Sequence, residues 1–218
     1  PTLITGGTSW FAPTYNTEET AEHEFGHQYW YGMVATNEFE DAWLDEGINS
    51  YTESDILGSI LGRRTSFLKR SYANESDAEL QRLEYLEKPD YDPVTRFAWQ
   101  FRNAESYVVI TYGKSAALLE TLQGILGRNT MDDAMRTYFM RYRFTHPTTE
   151  DFLRTIEQVA IAHGKALATT TPPAPAAQPS GASPSLPNPL PFTSTGSPDY
   201  ATAPVTNSTL RPFFDQAV

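Results

Sequence analysis

Residues 21–32 read AEHEFGHQYWYG and place His23, Glu24 and His27 within five positions of a 218-residue chain that has four histidines. Residues four apart project from one face of an α-helix, so this spacing aims both imidazoles at a common point, with Glu24 beside them. The pattern His-Glu-x-x-His is how a helix can hold a metal. The flanking sequence supports a helix over 16–33. Asn16 or Thr17 can cap its start, glutamates fill the first turn, and Gly32 stands near its end.

A catalytic zinc site takes three protein ligands and keeps a fourth position for water. The chain has no cysteine, so the third ligand must be a histidine or a carboxylate. His146 and His163 lie far downstream, in a pre-helix turn and at a helix end, and both read as structural. Glu46, in AWLDEGINSY (42–51), is separated from His27 by eighteen residues. That is enough for a loop and a return into a second helix packed on the first. Glu53 lies two turns beyond Glu46 on the same helical face. There it either accepts a hydrogen bond from the far nitrogen of a ligating histidine or is an ordinary solvated glutamate.

HEFGH followed after eighteen residues by the glutamate of WLDEG resembles the gluzincin metallopeptidases, and the segment from His23 to Glu53 resembles the aminopeptidase N family in particular. The likeness extends to ITYGKSAALL (110–119), HPTTEDF (146–152) and LRPFFDQ (210–216), and so covers most of 1–165 together with 209–218. It implies a mainly α fold, the helical half of a thermolysin-like (gluzincin) catalytic domain. One Zn2+ per chain would sit on His23, His27 and Glu46, with Glu24 as general base and Tyr112 stabilising the transition state. Elementary chemistry agrees, since zinc lowers the pKa of bound water to about 7 and a neighbouring carboxylate can take the proton. A tyrosine hydroxyl can then donate to the developing oxyanion. Gly113 stands where the family commonly has glutamate.

The implied activity is hydrolysis of peptide bonds, with release of amino-terminal residues. The alternatives are a zinc hydrolase of other specificity, an endopeptidase or epoxide hydrolase, and a fragment without turnover that serves as an interaction module. The family's Gly-x-Met-Glu-Asn segment, whose glutamate holds the free amino terminus of the substrate, does not occur in the 22 residues before His23. The family's preceding β-sandwich domain is not represented either. The resemblance thus implies two partners, a peptide substrate and an amino-terminal domain of the same protein, and little activity for the chain alone.

Further helices are expected after AWLDEG, over ESDAELQRLEYLE (75–87), near YGKSAALLETLQGILG (112–127), and in two segments opened by capping boxes, Thr130 with Asp133 and Thr148 with Asp151. PTLITGGTSWF (1–11) reads as a strand entered in mid-course, and a chain starting at Pro1 reads as an excerpt. Residues 1–165 are expected to form the partial catalytic domain. Residues 166–208 hold ten of sixteen prolines and one charged residue, Asp199. Such a tract cannot bury enough apolar surface to offset its ordering entropy, so it is expected to be a disordered linker. Residues 209–218 look like the start of a further helix.

Residues 1–165 carry 15 Lys and Arg against 25 Asp and Glu, an acidic balance that argues against nucleic acid as a partner. No apolar run approaches the roughly 20 residues of a membrane-spanning helix. The compartment is left open.

Overall fold

The computed structural model describes residues 3–4, 16–62, 68–70, 73–88, 91–165 and 210. The strand expected over 1–11, the tract 166–208 and the closing segment 209–218 lie outside these residues, apart from Leu3, Ile4 and Leu210. The described part is mainly helical. In chain order it runs α1 (Asn16–Gly26), α2 (Ala42–Leu61), β1 (Leu68–Arg70), β2 (Ala73–Glu75), α3 (Asp77–Glu87), a 3-10 turn (Ala98–Gln100) and α4 (Ala104–Val108). A π-helical turn (Val109–Lys114), α5 (Ser115–Leu126), α6 (Arg128–Tyr142) and α7 (Thr149–Ala162) follow. The strands β1 and β2 pair antiparallel, Leu68 opposite Glu75 and Arg70 opposite Ala73.

Helix α2 is the centre of the packing. Trp43, Leu44, Ile48 and Tyr51 are buried on it and join Leu119, Leu122 and Leu126 of α5, Met131 and Tyr138 of α6, and Phe152, Leu153 and Ile156 of α7 in one core. Phe152 is the hub of the aromatic part. Its ring lies edge-on to Trp43 at 5.4 Å and to Tyr138 at 5.0 Å between centroids, the arrangement that ring quadrupoles favour. The indole N–H of Trp43 donates to the Thr149 hydroxyl at 2.9 Å, so the largest buried ring keeps its polar atom satisfied.

Two glycines let other elements close on α2. A Cβ on Gly26 would meet the Asn49 side chain at 2.0 Å, and one on Gly47 would meet Ser115 Cβ at 2.4 Å and the Thr111 carbonyl at 2.9 Å. The absence of a Cβ brings α1 onto one side of α2 and the π-helical turn onto another. Asn49 uses the first approach to donate to the carbonyl of His23 at 2.7 Å.

Three local expectations are corrected. The first helix ends at Gly26, not at 33. Beyond it Gly32 N–H returns to the His27 carbonyl at 2.8 Å and Val34 N–H to Tyr29 at 3.0 Å, both five residues back. Val34 is drawn into the core and bridges Thr145 in parallel, and this tertiary pairing overrides the local propensity. The box at Thr130 and Asp133 does not form. Gly127, at φ 83, both ends α5 and starts α6, which carries Thr130 inside the helix and buries it. The helix over 112–127 also starts differently, because Tyr112 lies in the π-helical turn and α5 begins at Ser115. By contrast, Thr148 and Asp151 cap α7 reciprocally, and an unanticipated box of Ser76 and Glu79 caps α3.

Candidate metal centre

The last turn of α1 and the first turns of α2 bring three ligand-type atoms to one point. His23 Nε2 lies 3.1 Å from His27 Nε2, and Glu46 Oε2 lies 3.2 Å from each imidazole nitrogen. The triangle is nearly equilateral. Four ligands placed tetrahedrally at zinc distances of about 2.0–2.1 Å stand about 3.3 Å apart, so three corners of that figure are present. His27 is one residue past the end of α1, and its N–H still bonds the carbonyl of His23 at 3.3 Å. The turn geometry that the motif requires thus outlasts the regular helix.

The outer nitrogens face carboxylates. His23 Nδ1 is 2.9 Å from Glu53 Oε2, and His27 Nδ1 is 2.8 Å from Asp45 Oδ1. The His27–Asp45 contact is an ion pair rather than an aligned hydrogen bond, because Asp45 Oδ1 has no hydrogen-bond partner while His27 Nδ1 also points to the Trp30 carbonyl at 3.4 Å. With both Nδ1 atoms protonated toward these acceptors, both Nε2 atoms present lone pairs. Three lone pairs then converge with no donor between them unless a proton or a cation sits at the centre. The donor set therefore fits a metal ion that takes nitrogen and carboxylate ligands.

The electrostatics carry the same imprint. Burial lowers the proton affinity of His23, but hydrogen bonds to Glu46 and Glu53 outweigh it and lift the imidazole to about 9. At His27 burial is likewise overcome by Asp45 and Glu46, and the ring rises to about 10. Burial alone would raise Glu46, yet its hydrogen bonds with His23, His27 and Tyr112 hold it at about 2. Asp45 is pushed up to about 6, chiefly by burial. These are the shifts of a site that stabilises positive charge at its centre.

Tyr112 comes from the π-helical turn. Its ring stacks on His23 at 5.5 Å and 22°, and its hydroxyl lies close enough to Glu46 for each to shift the other's proton affinity. Burial and the Glu46 charge push its pKa well above the ordinary tyrosine value, which keeps it a proton donor. Glu24 is half-buried on α1 and is not among the three converging groups. His146 instead bonds the Ala35 carbonyl at 2.7 Å, and His163 lies near Thr130 and Asp133. Neither reaches the centre.

Two features were missed in the sequence. Asp45 adjoins Glu46, and adjacency to a ligand on a helix that packs at two angles was the one available signal. The second is an acidic group beside the site, in which Glu19, Glu53 and Asp77 each place a carboxylate oxygen within 4.8 Å of the others. Burial drives Glu53 up to about 7, and burial followed by the charges of Asp77 and Glu84 does the same to Glu19.

Known proteins resemble this chain over most of its length. The rice (Oryza sativa subsp. japonica) aminopeptidase M1-C is 26% identical over 166 residues, covering 71% of this chain and 17% of its own length. Aminopeptidase N of Streptomyces lividans is 25% identical over 146 residues, covering 65% of this chain and 16% of its own. The chain thus spans about a sixth of the length of the curated relatives it matches. A two-domain M1 zinc metallopeptidase mutant, solved bound to L-tryptophan, shares the fold with a TM-score of 0.50 at 19% identity, over 73% of this chain and 35% of that one. The Peptidase family M1 domain matches residues 6–170, three quarters of the sequence, and the chain belongs to the M1 peptidase family.

Proposed function

We propose that this domain holds one zinc ion on His23 Nε2, His27 Nε2 and Glu46 Oε2, and that the protein containing it hydrolyses peptide bonds at the amino terminus of peptides. The observation that carries the reading is the triangle of three acceptor atoms with edges of 3.1–3.2 Å. Membership of the M1 family and the aminopeptidase names of its relatives support the choice of substrate.

Zinc, when bound, supplies a Lewis acid that polarises the scissile carbonyl and acidifies water. The protein's residues do the rest. Glu53 and Asp45 fix the tautomers of His23 and His27, so that each Nε2 offers its lone pair. Glu24 follows His23 directly on α1 and takes a proton from the attacking water on its carboxylate, then returns it to the departing amine nitrogen. Tyr112, held neutral by its surroundings, donates its hydroxyl hydrogen to the carbonyl oxygen as negative charge develops there.

The test uses the full-length protein. Metal analysis should find one zinc per chain, retained in Glu24→Gln and depleted in Glu46→Gln. Hydrolysis of an amino-acid amide should fall by on the order of 10²–10⁴-fold in Glu24→Gln. Purified protein without zinc, or near-normal turnover in the Glu24 variant, would overturn the assignment.

A further inference from the structure

Beside His23 lies an open cavity of about 230 Å³ whose walls include Glu19, His23, Ser50, Glu53, Glu84 and Tyr112. We propose a second cation site at its edge, lined by oxygen and suited to a hard divalent ion of the calcium class, with Glu19 and Glu53 of its walls and Asp77 beside them as carboxylate ligands and Ser50 Oγ as a neutral one.

Four observations point there together. The three carboxylates come from α1, α2 and the start of α3, and their oxygens lie within 4.8 Å of one another. Three oxygens up to 4.8 Å apart share a point no more than about 2.8 Å from each, close to the calcium–oxygen distances of about 2.3–2.6 Å. Second, Ser50 is fully enclosed at 0% exposure, lines the cavity, and its hydroxyl has no hydrogen-bond partner. A buried hydroxyl left in that state forfeits on the order of 1–3 kcal/mol unless something fills the space beside it. Third, Glu53 is 3% exposed and spends Oε2 on His23, while Oε1 is enclosed and unpartnered. Fourth, Asp77, also enclosed, accepts from Ser54 on Oδ2 alone.

Charge selects the class of ion. Among the described residues, none of the three carboxylates pairs with lysine or arginine, and the one basic side chain paired with any of them is His23, on Glu53. Three carboxylates largely removed from water carry a desolvation penalty that one ammonium group would relieve only by a third, whereas a divalent ion leaves a single residual negative charge. The all-oxygen donor set excludes a preference for soft metals. A volume of about 230 Å³ also exceeds that of a bare ion, and at about 30 Å³ per water it leaves room for the waters that complete six to eight ligands. Glu53 would then stand between the two centres, one oxygen on the second cation and the other on the histidine that faces the first.

The experiment titrates calcium into the zinc-loaded full-length protein by calorimetry, with manganese binding followed by electron paramagnetic resonance as a second probe. One ion per chain should bind with a Kd of about 1 mM or tighter. Asp77→Asn and Ser50→Ala should each weaken it at least about tenfold while zinc remains at one per chain. Should Asp77→Asn fail to fold, Glu19→Gln, at a less buried position on α1, is expected to give the same loss. The proposal is overturned if neither ion binds at up to about 10 mM, if binding survives these substitutions, if calcium binds only after zinc is removed, or if methylammonium competes it away at equal concentration.

Discussion

Helix α2 has neighbours of opposite character on its two sides. Its apolar residues Trp43, Leu44 and Ile48 join the core that includes Phe152, Leu153 and Ile156 of α7, all at most 1% exposed. Toward α1 and α3 it presents Asp45, Asn49, Ser50, Glu53 and Ser54, which are equally inaccessible to water, at 6% exposure or less. Burial is the same and chemistry is not. The first side is stabilised by contacts that the chain supplies by itself. The second side keeps Asp45 Oδ1, Ser50 Oγ and Glu53 Oε1 without hydrogen-bond partners, so its free energy depends on what is added to it. A single helix thus joins an apolar core to a set of buried polar groups that the chain alone leaves unsatisfied.

That contrast can be broken first at the apolar face. Phe152→Ala removes the ring around which Trp43 and Tyr138 are arranged, and should destabilise the fold by about 3–5 kcal/mol. Denaturant unfolding measures it, and a loss below about 1 kcal/mol would show that the core is loosely packed.

At the polar face the effects should appear in chemistry before stability. Tyr112→Phe should retain zinc and lower turnover of the full-length protein by on the order of 10²–10³-fold, equivalent to about 2.7–4 kcal/mol of lost oxyanion stabilisation. An equal loss in KM alone would instead assign Tyr112 to substrate binding.

Asp45→Asn removes the charge that faces His27 and should weaken zinc by about 10–100-fold. A competition assay against a chelator reads the affinity. Unaltered affinity would leave the Trp30 carbonyl as the partner that orients His27.

The smallest effect sharpens the comparison through pH. In the zinc-free chain His23 and His27 have pKa values raised to about 9 and about 10 from 6.5. Their contribution to stability is therefore fully present below about pH 6.5 and is lost as pH rises through 9 to 10. The melting temperature of the chelated protein should drift down across that interval by roughly 2–4 °C per kcal/mol lost. The zinc-loaded protein should not follow it, because bound metal replaces the protons. A parallel drift in both would place the sensitive groups outside the centre.

The divide between the two faces also marks what could be read in the sequence. The histidine spacing, the eighteen-residue interval to Glu46 and the Glu46–Glu53 spacing are periodic signals within one or two helices, and the structure brings those four side chains together. The box at Thr148 was legible for the same reason. Thr130 carried an equally good local pattern and failed, because a glycine three residues earlier had already begun the helix. Asp77 could not be found beside Glu19 and Glu53, since its position depends on how α3 returns across α1 and α2. The π-helical turn at Val109–Lys114 left no periodic trace, because its six residues are compatible with an ordinary helix and only the packing of Gly47 against Thr111 and Ser115 decides otherwise.

That turn makes the length of the chain part of the site. A π-helical turn accommodates one residue more than an α-helical turn would use, and such insertions are rare outside functional positions. Each residue of an α-helix advances the side-chain direction by about 100°. Removing one residue between Val109 and Lys114 would restore a regular helix from α4 into α5 and swing Tyr112 away from His23 by about that angle. The segment would thus tolerate many exchanges of one apolar side chain for another and no change in the number of residues. Among relatives of this chain, a gap in an alignment here would mark loss of the reaction more reliably than most substitutions.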